Sequence, residues 1–233
     1  MKTKSKNRRA SPRTAPQQRT ETIYQQVRYL ICTNRYPPDT VLSEEELAGE
    51  YSVSRSPIRR VFSMLEHEGL VEIRHGYGTV VTRIEPEQLA EVYAVRMILA
   101  EAMAPFIEMP VSREIRSLVV ECGQRFLDLE EGDCTGFAEN NIRYVMGVID
   151  IGSNGTLREL QRNLFFQTSR MWLMLLPSMP WEETISSVYD ETVEVVRRMD
   201  LGDPAGLSYS IRNHIFEGQG LLLRALGKRK TGD

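Results

Sequence analysis

With 233 residues, 41% hydrophobic and 26% charged, the chain is long enough for one large or two modest globular domains. No run approaches the roughly 18 apolar residues of a membrane span, and the basic N-terminus has no apolar core of the kind a secretory signal carries. Cys32, Cys122 and Cys134 form no CxxC pair, which argues against a zinc ribbon or disulfide framework and for buried thiols in a reducing cytoplasm. The net charge of −3 is unevenly spread: residues 1–84 hold 14 Lys+Arg against 9 Asp+Glu, about +5, and the remainder 15 against 23, about −8. A basic N-terminal third on an acidic body points to a polyanion partner for the first part only.

Residues 1–19 carry seven basic and no acidic side chains, with two prolines and no apolar period, and are expected to be a disordered basic tail. Such a tail either touches phosphates or is simply solvated. Residues 20–34 place Ile23, Val27, Leu30 and Ile31 on one face of a first helix, which the Pro37-Pro38-Asp39 stretch breaks. A short second helix follows Ser43, with Glu46 three residues on to complete a capping box.

The third helix lies within VSRSPIRRVFSMLEHEG, residues 53–69. Ser54 is placed as its N-cap and Pro57 falls in the first turn, where no N–H is required. Ile58, Val61, Phe62 and Leu65 give one apolar stripe, and Gly69 ends the helix. Arg55, Arg59 and Arg60 lie off that stripe near the positive helix end. That is the build of a major-groove reader, although an ordinary amphipathic helix with a solvated basic face has the same pattern. Residues 70–74 and 79–82 are β-rich, and His75-Gly76-Tyr77-Gly78 between them supplies a tight turn, so a two-stranded wing follows the helices.

The stretch LSEEELAGEYSVSRSPIRRVFSMLEHEGLVEIRHGYGTVV resembles the winged helix-turn-helix of GntR-type bacterial transcription regulators, over residues 20–84. The resemblance implies double-stranded operator DNA as partner, with contacts from Ser54, Arg55, Ser56, Arg59 and Arg60 and from His75 and Gly76 at the wing tip. Some members carry a DNA-reading Arg where this chain has Glu45, and the usual Arg-Glu after the Pro is here Arg59-Arg60, so no operator sequence can be copied from a relative.

Residues 85–233 read as entirely helical: 86–107, 112–129, 135–152, 156–176, 182–200 and 204–226, parted by Gly-, Pro- and Asp-rich breaks. Six helices of about 20 residues resemble the FCD effector domain on the FadR branch of the GntR family. The expected fold is therefore mainly α: an N-terminal winged helix-turn-helix of three helices and a two-stranded wing, then an all-α six- to seven-helix bundle of FCD type. Many FCD domains bind a divalent cation through one Asp and three His. Counted from Asn154 and Asp200, those positions hold Asn141, Val145, Asp190 and His214, so a three-imidazole site cannot form within one domain. No cofactor is expected, with Asp190 and His214 left as weak cation ligands. Arg96 sits among apolar neighbours on the first body helix, facing either an anion in a cavity or Glu101 in a salt bridge. Arg96, Asn141, Asp190 and His214 are the candidate effector-binding residues.

No phosphate loop, Gly-x-Ser-x-Gly or metal cluster supports an enzyme. The expected function is a cytoplasmic, homodimeric, ligand-responsive DNA-binding regulator, a repressor, whose effector is an organic acid or other anion. The alternative is a constitutive DNA-binding dimer with a vestigial pocket.

Overall fold

The computed structural model describes residues 14–231. The tail expectation therefore falls mostly on residues outside those described, but its last part is corrected: α1 runs Ala15–Cys32 and takes in residues 15–19. Pro16 suits the first helical turn, and the Gln17 side chain accepts from the Thr14 N–H at 2.9 Å. The Arg19 guanidinium then donates to the Tyr51 and Ser52 carbonyls at 2.8 and 3.2 Å, tying the start of α1 to the rest of the N-terminal head.

The head continues with β1 (Val41–Leu42), α2 (Glu44–Glu50), α3 (Arg55–His67), β2 (Val71–Arg74) and β3 (Gly78–Val81). Ile58, Val61, Phe62 and Leu65 of α3 are all buried, as the stripe requires. Gly69 takes φ +71, a left-handed conformation that lets the chain leave α3 for β2. The wing has one strand more than expected: β1 pairs antiparallel with β3, giving sheet order β1-β3-β2. Two residues carry no alternation that could announce a strand, so β1 is visible only from its partner. His75, Gly76 and Tyr77 join Arg74 to Gly78 across the wing tip, with Gly76 at φ +76.

The body is wholly helical: α4 (Pro86–Glu101), α5 (Arg113–Leu127), α6 (Cys134–Ile149), α7 (Gly155–Leu175), α8 (Trp181–Leu201) and α9 (Pro204–Thr231), with short 3-10 turns at Ala104–Phe106 and Leu176–Ser178. The first body helix stops six residues short of expectation, as the chain tightens into the 3-10 turn carrying Pro105. Ser112, Asp133 and Asn154 cap α5, α6 and α7 through their side chains.

Head and body share a continuous apolar core. The joint is α1 against α7. The Arg28 guanidinium lies 4.0 Å over the Phe166 ring and reaches Glu68 at 3.2 Å, while Tyr24 donates to the same carboxylate. The Cys32 thiol meets the Phe166 carbonyl at 3.8 Å, Tyr29 bonds Glu139 of α6, and a side chain at Gly69 would touch Gln167. Arg170, 1% exposed, donates to the Thr82 hydroxyl at 2.8 Å, which in turn donates to the Gly69 carbonyl at 2.7 Å. Burial pushes the Cys32 thiol up to about 11, so it is unreactive while the joint is closed. Phe166→Ala should cost about 3–5 kcal/mol in chemical denaturation. In a background with Cys122 and Cys134 changed to Ser, it should also speed modification of Cys32 by an aromatic disulfide, whereas an unchanged rate would show that α7 does not cover Cys32.

Candidate nucleic-acid interface and helical pocket

Ser54 occupies the N-cap of α3 with extended backbone, but its hydroxyl makes no cap bond. Ser54, Arg55, Ser56, Arg59 and Arg60 are all exposed around the first turns. The N–H groups of that turn need partners from outside the helix, and the helix end favours anions. Two of the arginines are held by α2. Arg59 Nε donates to both Glu44 oxygens at 3.0 and 2.8 Å, and Arg55 Nη2 donates to Glu45 at 2.6 Å. Arg60 has no ion-pair partner among the described residues. Ser43 caps α2 by accepting from the Glu46 N–H at 3.3 Å, which is one half of the expected capping box. Glu44 and Glu45 of α2 thus grip the arginines of the next helix, a pairing that the sequence analysis does not anticipate.

The wing tip exposes His75, Gly76 and Tyr77, the last 64% exposed, and Arg74 pairs with Glu72 beside them.

In the body, three of the four candidate pocket residues come together. Arg96 of α4, Asn141 of α6 and His214 of α9 line one end of a tight cavity with Tyr93, Phe165 and Trp172. An adjoining narrow lobe of about 30 Å³ is walled by Arg96, Gln161 and His214 among apolar side chains from Met103 to Ile215. Arg96 is fully inside: its Nη1 donates to Thr168 of α7 at 3.1 Å and its guanidinium lies 4.8 Å over Tyr93 and 5.4 Å over Phe165. Glu101, the alternative partner, bonds Arg212 instead. No carboxylate neutralises Arg96 among the described residues, and burial lowers its pKa from the usual arginine value.

Asp190 is a correction. It is exposed and faces an open groove between α8 and α9, outside the cavity. Its neighbour Glu191 meets His214, the carboxylate accepting from Nδ1. One residue turns a helix by about 100°, so counting from a distant landmark chose the wrong face. Burial and the Arg96 charge hold the His214 pKa well below the ordinary imidazole value. Neutral His214 therefore donates from Nδ1 to Glu191 and keeps Nε2 as an acceptor. Val145 stands in the cavity wall as an apolar surface. A divalent cation does not fit this donor set: a guanidinium sits among the donors, and no group of three His, Cys, Asp or Glu could hold a metal among the described residues. Trp172, Phe165 and Met103 line the cavity as well.

Residues 19–81 match the model of bacterial regulatory proteins, gntR family. The head is thus similar to the gntR family, which is a family of regulatory proteins. An uncharacterised HTH-type transcriptional regulator of an unstable DNA locus in Streptomyces ambofaciens is 34% identical over 113 residues, 47% of this chain and 48% of that protein. The gluconate operon transcriptional repressor of Bacillus licheniformis is 35% identical over 74 residues, 32% of this chain and 30% of that one. The chain thus spans half the length, or less, of these two relatives. The gntR head and the helical body together share their fold with Escherichia coli McbR/YncC, at TM-score 0.77 and 14% identity over 88% of this chain and 97% of that one.

The two neighbouring acids of α8 separate by substitution. Asp190→Ala should stay within about 0.5 kcal/mol of the parent stability, while Glu191→Ala, which strips His214 of its buried partner, should cost about 1–3 kcal/mol. Equal losses in urea denaturation would put Asp190 back at the pocket.

Proposed function

We propose that the chain is a sequence-specific DNA-binding transcriptional regulator, a cytoplasmic homodimer acting as a repressor, with an organic anion as effector. Residues 20–84 bind operator DNA and residues 85–233 dimerise and take the effector. The observation that carries the DNA reading is α3: a gntR-type helix whose apolar stripe is buried and whose first turns expose Arg55, Arg59 and Arg60. Ser54, with its hydroxyl free of the cap, suits a phosphate, as do the wing-tip residues His75 and Gly76. Helix-turn-helix modules read two half-sites through a two-fold dimer. The repressor reading follows the gluconate operon relative.

The observation that carries the effector reading is Arg96, a buried guanidinium without a carboxylate in a cavity that also offers Asn141 and His214. A carboxylate or phosphate would supply the missing charge through a bidentate bond. Nothing in this reading needs a metal, since Arg96 does the work a cation would do. Among the described residues no helix is long and apolar enough to cross a membrane.

Arg59→Ala should weaken binding to a selected operator by about 1–3 kcal/mol more than binding to random DNA; equal losses would make Arg59 a phosphate contact. For the pocket, thermal shifts against a panel of small carboxylates and sugar phosphates should raise the parent's midpoint. A ligand at a hundred times its Kd contributes about 2.7 kcal/mol. Arg96→Met should unfold cooperatively near the parent's temperature and lose the shift. A shift surviving in Arg96→Met would remove Arg96 from the site, and no shift with any anion would favour a vestigial pocket. One equivalent of zinc, nickel or manganese per subunit in elemental analysis would overturn the metal-free reading.

A further inference from the structure

The acids at the start of α2 lie on the reading edge of the head. Glu45 is the most exposed member of the group, with its side chain 78% exposed, and it holds Arg55 Nη2 at 2.6 Å. Glu44 beside it holds Arg59 by Nε alone, leaving the two terminal nitrogens of that guanidinium without a partner among the described residues. Folding does not account for the outer pair, since exposed ion pairs contribute little to stability. Next to a polyanion, a carboxylate also costs affinity. What it can supply is base discrimination. An ionised carboxylate only accepts hydrogen bonds. In the major groove cytosine presents an amino donor at N4, guanine and thymine present acceptors, and guanine takes an arginine fork at O6 and N7. A guanidinium and a carboxylate bonded to each other therefore match a C·G pair edge, the arginine on guanine and the carboxylate on cytosine.

We propose that Glu45 is a base-selecting residue of the head, accepting from cytosine N4 beside a guanine read by Arg55. This rests on α3 being the DNA-reading helix. The same carboxylate partly neutralises Arg55 and so holds it away from phosphates, lowering affinity for DNA of any sequence. Glu44 is a positioning residue, which orients Arg59 through Nε and leaves its fork free.

The test is selection from a random duplex library with the full chain, comparing the parent with Glu45→Ala, Glu45→Gln and Arg59→Ala, followed by titrations over a range of salt. In the parent motif one C·G position per half-site should lose roughly tenfold discrimination in Glu45→Ala while other positions hold. In Glu45→Gln that position should shift towards adenine, whose N6 and N7 suit an amide. Affinity for random DNA should rise in both, with a salt slope steeper by about one as Arg55 turns to a phosphate. Arg59→Ala should flatten a different position. A merely structural role for Glu45 would change affinity without shifting any base, and an unchanged motif in both Glu45 variants overturns the proposal while leaving the DNA reading intact. A parent that enriches no motif overturns both.

Discussion

The whole arrangement hangs on α7 being packed on two sides at once. On one side Thr168 accepts from Arg96 and Phe165 lines the cavity; on the other Phe166, Ser169 and Arg170 are buried, with Phe166 under Arg28 of α1 and Arg170 on Thr82. These residues are neighbours on two successive turns. Under the proposed function a displacement of α7 that suits an occupant of the cavity would be felt at the head, because close-packed interfaces shift between discrete arrangements instead of yielding smoothly. Arg170 makes this joint an uneasy one. Its Nε and Nη1 have no hydrogen-bond partner among the described residues although the side chain is 1% exposed, and burial lowers its pKa. Unpaired buried donors cost free energy, so closure against the head forgoes part of what packing provides. Opening would let water reach those donors. That is the balance expected of a joint meant to be tipped.

Arg96 and Arg170 are two buried guanidiniums on either side of the same helix layer, and they differ in what could neutralise them. Arg170 meets the Thr82 hydroxyl, with the Cys32 thiol nearby, both confined by the docked head. Arg96 opens on a cavity with an amide and an imidazole acceptor beside it. The first is satisfied by movement, the second by a ligand. Under the proposed function these are the two halves of one linkage: an anion seated on Arg96 would compete with Thr168 for the guanidinium and so loosen or re-aim the helix that Arg170 holds to the head.

The head was legible in the sequence because its information is local. The stripe of α3 repeats at helical spacing, Gly69 and Gly76 stand where positive φ is needed, and the wing strands are long enough to show β preference. The body helices were legible for the same reason, to within a few residues at each end. The two-residue β1 was not, since it exists only as a partner of β3. The pocket was half legible. Arg96, Asn141 and His214 do meet, but Asp190 lies outside and it is Glu191 that bonds His214 from the groove side, a distinction that depends on the rotation of α8 about its axis. Arg170 carried no signal at all. An arginine after Thr168 and Ser169 gives no sign of burial by itself, and it is the docking of the head over α7 that covers it. The grip of α2 on Arg55 and Arg59 is hidden for a like reason: it joins side chains ten and fifteen residues apart, and acids in a first helical turn are also favoured by the dipole of their own helix.

Charge orders these parts at longer range. The body is about −8 from residue 85 onward, and the +5 of residues 1–84 comes from residues 1–19, since residues 20–84 hold 7 Lys+Arg against 9 Asp+Glu; under the proposed function a duplex is therefore met by the placed arginines of α3, not by the net charge of the head. The body's own field opposes an anion approaching it. Asp190, Glu191, Glu194 and Glu217 line the groove outside His214, with Arg198 among them. An anionic effector must therefore be bound by local geometry, not drawn in by the net charge, and a guanidinium enclosed by aromatic rings is suited to that, because its field is little screened where water is excluded. As it stands the enclosure is narrow, about 30 Å³, so under the proposed function a small anion would reach Arg96 by parting the helices around it. A DNA backbone cannot enter it. Under the proposed function one chain handles two kinds of anion: the polymeric one is met by the exposed arginines of α3, and the small one by a single buried arginine beneath an acidic surface.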